Sequence, residues 1–454
     1  MLKIRRVGPS LLLALLIPIA AYSQAPAGSW RPLSNAPLAD DRHDDVFFVN
    51  ASLGWIVNTA GEIFKTTDGG ENWIRQLHDE TDLGYRVFFR SIGFANEQVG
   101  WAGNLGFTNN PNTEHVLFET RDGGTSWTDI TERIAGPRPA GICGLWVVSE
   151  QTIYGVGRWN GPPTFIKSVD GGLRWTSVDL RPVVTGLVDV YFFNEDIGLI
   201  VGGNGVGSSL EEQNASRTVI LYTVDGGATW EPRYTSETLG KWGWKFSFPT
   251  PETGYVATQG PTLDGIILKT TDGGLHWEEK VVGDNLGFSG IGFATAQRGW
   301  VGSLATHETT DGGETWHEVS DVGEHINRFR MLGDTLGYAV GRQVYTYTAS
   351  TATNRANPSE APSAFRLEQN YPNPFNPSTT IAYTLIARAD VKITVQDVLG
   401  RRIATLVDER QAPGVYQTRW DGTDEGGAPQ PSGVYFYRLA AGALVQTQTM
   451  VLLR

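Results

Sequence analysis

Thr66–Trp73 reads TTDGGENW, and five near copies follow it: TRDGGTSW at Thr120–Trp127, SVDGGLRW at Ser168–Trp175, TVDGGATW at Thr223–Trp230, TTDGGLHW at Thr270–Trp277 and TTDGGETW at Thr309–Trp316. Their aspartates, Asp68, Asp122, Asp170, Asp225, Asp272 and Asp311, recur at intervals of 39 to 55 residues. A repeat of that length marks a propeller or solenoid, whose units bury their apolar faces only against one another. Inside the phrase the Asp can accept backbone N–H bonds across a turn, the Gly pair permits positive φ, and the Trp can fold back over the hairpin. Six equivalent carboxylates spread around a ring do not converge on one substrate, so these aspartates are assigned to structure. One Asp followed by two Gly also offers too few oxygens for calcium, and no metal site is expected.

Each phrase ends a longer unit. VFFVNASLGW (Val46–Trp55), IGFANEQVGW (Ile92–Trp101), VYFFNEDIGL (Val190–Leu199) and IGFATAQRGW (Ile291–Trp300) supply an apolar strand, a polar turn and a Gly-aromatic step. Two further strands flank the phrase, giving four per unit. A seventh unit, Phe329–Tyr338 and Arg342–Thr348, lacks its phrase. Gly28–Leu33 resembles the missing Trp-led fourth strand, so the N-terminus is expected to close the ring. The fold class is all-β: a seven-bladed β-propeller followed by a small immunoglobulin-like β-sandwich.

The 55 Gly, 15 Trp, 15 Tyr and 19 Phe suit many short strands joined by tight turns. Formal net charge is −13, and no basic run follows position 6, which argues against nucleic acid as a partner. Residues 1–23 read as a signal peptide: a basic start, an apolar run Leu11–Ala21 too short to span a bilayer, and Ala21-Tyr22-Ser23 as a cleavage site. No transmembrane segment is expected in the mature chain. The single cysteine, Cys143, cannot form an internal disulfide and is read as a buried thiol. The propeller is assigned to 24–348 and a Ser/Thr/Ala/Pro-rich linker to 349–364. Residues 365–454 then alternate as strands IAYTL, VKITVQDVLG, RRIATLV, GVYQTRWDG, SGVYFYRL and TQTMVLLR.

The six phrases match the Asp-box, or bacterial neuraminidase repeat. With the GW step they resemble the propellers of photosystem II assembly and stability factor-like proteins, a resemblance that implies fold far more than function. NYPNPFNPSTTI, VQDVLGRRIATLV, WDG, SGVYFYRL and the terminal MVLLR resemble a type A sorting domain of the type IX secretion system, with the sheet of flagellar hook-capping proteins. That resemblance implies export across the periplasm to the cell surface or medium, with the translocon and a sortase-like peptidase as partners of 365–454. Gln448 and Thr449 stand where that family commonly has a basic residue.

Long loops lie on the face opposite the phrases, and a ligand is placed there. Aligning the units puts Asp45, Asp189, Lys245 and Arg328 at one level of the central channel, with Arg90 and Trp244 one residue earlier. Together with Arg86, Trp242 and the loop pair Arg158-Trp159, expected to be exposed, they are the candidate contacts for a polar peptide or glycan. A rim of internally paired charges is the alternative. No cofactor is expected. The His residues lack metal-ligand spacing, Arg133-Ile134-Ala135 breaks the sialidase Arg-Ile-Pro motif, and no nucleophile motif is present. The expected function is noncatalytic binding by a secreted propeller. An extracellular glycoside hydrolase, sialidase- or xyloglucanase-like and using Asp45 and Asp189, is the rival.

Overall fold

The computed structural model describes residues 28–106, 114–181, 183–205, 209–261, 265–283, 287–302, 304–349, 366–367, 370, 373, 375–385, 388–397, 401–411, 414–441 and 444–453. The signal peptide and the linker expected from the sequence lie outside them. The chain divides into two compact units, Met1–Ala352 and Thr353–Arg454. No helix among the described residues is long and apolar enough to cross a membrane.

Seven antiparallel-based sheets make up the described part of the first unit. The first runs His43–Phe48, Gly54–Asn58, Glu62–Thr66, Ile74–His78 from inside to outside, and the next five begin on Phe89–Phe94, Gly144–Val147, Gly186–Phe192, Trp242–Ser247 and Gly290–Phe293. The seventh holds Arg328–Leu332, Leu336–Val340 and Val344–Ala349, and its outer edge is Gly28–Pro32. That N-terminal strand pairs antiparallel with Val344–Ala349, Trp30 facing Tyr347. The third sheet departs from four strands: Ile134–Ala135 adds a fifth, parallel to Trp175–Asp179. A short helix, Leu210–Ala215, also interrupts a long loop; Ser209 and Glu212 close it with a capping box that the sequence reading passed over.

The Gly-aromatic step explains how the sheets hold together. A Cβ on Gly54 would lie 2.5 Å from the Phe48 ring of its own sheet, so only glycine lets that phenylalanine cross the neighbouring strand. In four of the seven sheets the aromatic at this step stacks on the phenylalanine of the next sheet. Trp55 meets Phe94 at 3.5 Å, Tyr154 meets Phe192 at 3.7 Å and Tyr255 meets Phe293 at 3.6 Å. Tyr338 of the seventh sheet stacks on Phe48 of the first at 3.6 Å, and its hydroxyl donates to the carbonyls of Ala51 and Gly69. Each inner strand packs on the next, and that of the seventh sheet packs on that of the first, so the sheets close on themselves.

The turn phrases are hydrogen-bond cages. In the first, Thr66 Oγ1 donates to Asp68 Oδ1 and accepts from Gly70 N, Asp68 Oδ1 accepts from Asn72 N, and Trp73 Nε1 donates to Gly70 O. Gly69 and Gly70 hold φ of 73 and 90, which a side chain would resist. Hydrogen bonds from Thr229 hold Asp225 down at about 2, against an ordinary 3.8. Burial would raise Asp272, but His276 and Thr270 more than offset it and leave it at about 2. Such lowered carboxyls stabilise the fold above their unfolded pKa, and the contribution is lost as pH falls through the folded value. Melting temperature is therefore expected to drop between about pH 4 and pH 2, and to drop less in Asp225→Asn with Asp272→Asn. Identical pH profiles for the two chains would contradict this reading.

The second unit is a sandwich. A three-stranded sheet orders Arg366–Leu367, Thr379–Leu385 and Gly414–Trp420; a four-stranded sheet orders Arg402–Gln411, Ala389–Asp397, Gly433–Ala441 and Leu444–Leu452. Alternate residues Val391, Ile393 and Val395 of one sheet and Ile381, Tyr383 and Leu385 of the other share a core with Trp420, Tyr437 and Met450.

Candidate functional site

The inner strands of the first, second, fourth and fifth sheets each carry a register shift, at His43/Asp45, Phe89/Ser91, Leu187/Asp189 and Gly243/Lys245. An extra residue in a strand bends it and redirects the side chains beside it. Asp44 and Asp45, which strict alternation would send to opposite faces, are consequently both buried.

Two carboxylates are tied by one guanidinium. Arg328 Nε donates to Asp45 Oδ1 at 2.8 Å, and its Nη1 and Nη2 donate to the two oxygens of Asp189 at 3.1 and 3.2 Å. Each Asp also clamps the following sheet: Asp45 Oδ2 accepts from Ile92 N and Asp189 Oδ2 from Phe246 N, both at 3.0 Å. Burial would raise Asp189, but Arg328 and Lys245 outweigh it and hold it below its ordinary value. A second cluster lies around Asp44, whose Oδ1 accepts from Arg90 Nη1 at 2.6 Å and Arg42 Nε at 3.1 Å. Asn327 Nδ2 donates to Asp44 O, Trp244 Nε1 donates to Asn327 Oδ1, and the Arg90 guanidinium lies over the Trp244 ring at 5.1 Å.

Asp45, Asp189, Lys245, Arg328, Arg90 and Trp244 are thus all buried rather than set on a solvated rim: Arg328 bonds Asp45 and Asp189, Lys245 lies 3.8 Å from Asp189 Oδ1, and Arg90 lies over Trp244. Trp242 is buried too and stacks on Trp159 at 5.7 Å. Arg158, expected to be exposed, is instead 5% exposed: its loop folds inward, Nε donates to Asn160 Oδ1, and its carbonyl accepts from Leu187 N. Arg86 stays apart, on the surface beside Glu80. Metal-ligating clusters are absent among the described residues.

Above the network, on the face opposite the turn phrases, a cavity of about 420 Å³ opens between sheets. Asp40, Asp41, Arg42, Gln259, His325 and Arg342 line it. His325 takes φ of 60, an uncommon left-handed conformation for a residue with a side chain. Arg42 joins this cavity to the buried Asp44. These lining residues were not expected from the sequence because the alignment of units stopped at the level of Arg90 and Trp244; the crossovers just upstream, Asp40–Arg42 and His325, were the available signal.

The family described as photosynthesis system II assembly factor YCF48 matches residues 24–142, and the FlgD Ig-like domain family matches residues 376–445. The first unit is similar in fold to YCF48 propellers. Photosystem II assembly lipoprotein Ycf48 of Synechococcus sp. (strain CC9902) is 24% identical over 214 residues, covering 39% of this chain and 58% of the relative's length. A solved structure titled "YCF48 bound to D1 peptide" aligns with a TM-score of 0.51 at 20% identity, over 72% of this chain and 99% of that one. The GH74 enzyme of Niastella koreensis aligns with a TM-score of 0.51 at 13% identity, over 92% of this chain and 74% of that one. At these identities the likeness is one of fold.

Proposed function

We propose that the chain is an exported binding protein whose first unit, a closed ring of seven blades, holds a peptide segment of a protein partner in the cavity lined by Arg42, His325 and Arg342. The cavity carries the proposal: it presents side chains of both signs of charge on the face that bears the long loops, a lining suited to an extended polar chain. The peptide-bound YCF48 structure supports a peptide over a sugar. Against hydrolysis, Asp45 and Asp189 are buried and spend their oxygens on Arg328 and on backbone amides, leaving neither carboxyl poised to transfer a proton. The second unit, by its sequence signature and its FlgD-like match, serves as a type IX sorting domain; the signal peptide at 1–23 provides entry to the periplasm, and the cargo reaches the surface or medium.

Purified chain screened on a peptide array and on polysaccharides with a reducing-sugar assay tests the binding reading. Saturable peptide binding without sugar release is expected, weakened about tenfold or more by Arg342→Ala through loss of a charge-assisted hydrogen bond. Sugar release abolished by Asp45→Asn or Asp189→Asn in folded protein would establish the hydrolase instead. Deleting 365–454 in a type IX-competent host should trap the protein in the periplasm; unchanged export would refute the sorting role.

A further inference from the structure

One sector of the face that bears the turn phrases differs from the rest. In the third phrase Val169 and Leu173 are 62% and 59% exposed, and in the fourth Val224 is 63% exposed. Leu275 of the fifth is exposed as well. The same two positions hold Thr67 and Glu71, Arg121 and Thr125, and Thr310 and Glu314 in the first, second and sixth phrases. The turn cage does not need these aliphatic groups: in the third phrase it is made by Ser168, Asp170, Gly172 and Trp175 with the Arg174 amide.

The apolar surface continues inward across the same three sheets. In each phrase the first glycine donates to the inner hairpin turn of its own sheet, Gly171 N to Gln151 O, Gly226 N to Asp196 O and Gly273 N to Glu252 O. Beside these turns the rings are half-buried. Trp146 of the third sheet packs on Tyr191 of the fourth at 4.4 Å, Tyr191 on Phe248 of the fifth at 4.5 Å, and Phe248 on Trp277 of the fifth phrase at 6.1 Å. Scattered apolar side chains on a surface are ordinary, but aliphatic and aromatic groups gathered over neighbouring sheets mark a place where something docks.

The charge around that surface selects what docks. Its hairpin turns carry exposed Glu150, Glu195, Asp196 and Glu252. Glu150 accepts from Asn96, and Glu195 from Ser149 and Thr152, all neutral donors. No cation among the described residues forms an ion pair with any of the four. The nearby cations are engaged elsewhere: Lys167 Nζ donates to Gly226 O, Lys269 pairs with Glu314, and Arg174 acts on Asp170 of its own phrase.

We propose that the phrase face of the third to fifth sheets docks a basic amphipathic segment of a protein partner. Its apolar side chains rest on Leu173, Val224 and the ring of Phe248, and its Lys or Arg groups meet Glu150, Glu195, Asp196 and Glu252. The same carboxylates repel nucleic acid and anionic membranes, and a second copy of this chain, at a formal net charge of −13, brings like charge to like. The cavity assigned to a peptide opens on the opposite face, so the two readings fail separately.

A short fluorescent peptide of leucine and lysine at helical spacing is the probe, titrated into the full chain and followed by anisotropy. Saturable binding is expected, weaker by about tenfold or more when serine replaces its leucines or glutamate its lysines. Leu173→Ser with Val224→Ser changes only exposed groups, so it should leave the melting temperature unaltered and weaken binding about tenfold or more. Glu195→Gln with Glu252→Gln should weaken binding and flatten its dependence on salt. Arg342→Ala, in the cavity, should leave probe binding unchanged. Absence of binding, equal binding of the serine peptide, full affinity in the Leu173→Ser, Val224→Ser chain, or loss of binding in Arg342→Ala would each overturn the docking surface.

Discussion

Arg328→Ala is expected to destabilise the first unit by about 3–5 kcal/mol, because it strands two buried carboxylates at once. Arg328 is bonded to Asp45 and Asp189, each of which belongs to a different sheet and each of which binds the next sheet's backbone. Guanidine denaturation followed by tryptophan fluorescence measures the loss. The pH dependence supplies a second sign. In the native protein Asp189 is held below its ordinary value, so its contribution is present above the unfolded pKa and lost in acid. Without Arg328 burial raises Asp189, and the variant should regain stability relative to the native chain as pH falls. Combining Arg328→Met with Asp45→Asn and Asp189→Asn should recover much of the loss, since a buried ion cluster contributes little over matched neutral groups. A loss below about 1 kcal/mol for Arg328→Ala would mean the cluster is hydrated and weakly coupled.

Trp30→Ala should cost about 3–5 kcal/mol although Trp30 lies only thirty residues from the start of the chain. The indole is 4% exposed and packs against Trp300 at 5.2 Å, Phe329 at 5.5 Å and Tyr347 at 5.3 Å, joining the sixth sheet to the seventh. Its backbone N–H donates to Asp321 Oδ2, and Arg298 Nη2 donates to Gly28 O nearby. Trp30 Nε1, in contrast, is buried without a partner. Trp30→Phe therefore removes an unmet donor along with some volume and should cost clearly less than alanine. Equal losses for the two variants would show that packing is not the dominant contribution.

The sheet order was legible because its causes are local. The Gly-aromatic step fixes where Phe48 and its equivalents cross the adjoining strand, the phrase fixes the outer turn, and the Trp of Gly28–Leu33 announces an outer strand with no inner partner nearby. What remained hidden depends on distance or on single-residue irregularity. Asp45 and Arg328 are 283 positions apart, and one sequence contains no sign that they meet. Each inner-strand bulge adds a single residue within a strand, too little for periodicity to register, so charges expected at a wet rim proved to be interior. The same irregularity explains the third sheet: Ile134–Ala135 is two residues long and pairs parallel, too short for any periodicity to register. Arg158 was misplaced because a polar loop sequence says nothing of which way the loop folds.

Closure of the ring depends on the N-terminal strand completing the seventh sheet. Ser29 and Thr348 are direct cross-strand partners with exposed side chains, at a separation where two cysteines can join. In the Ser29→Cys, Thr348→Cys chain, oxidation should produce that one disulfide, identified by mass spectrometry of the digest, and should raise the melting temperature relative to the reduced form. A double variant that stays reduced under the same conditions, or links only between molecules, would contradict the closure of the ring.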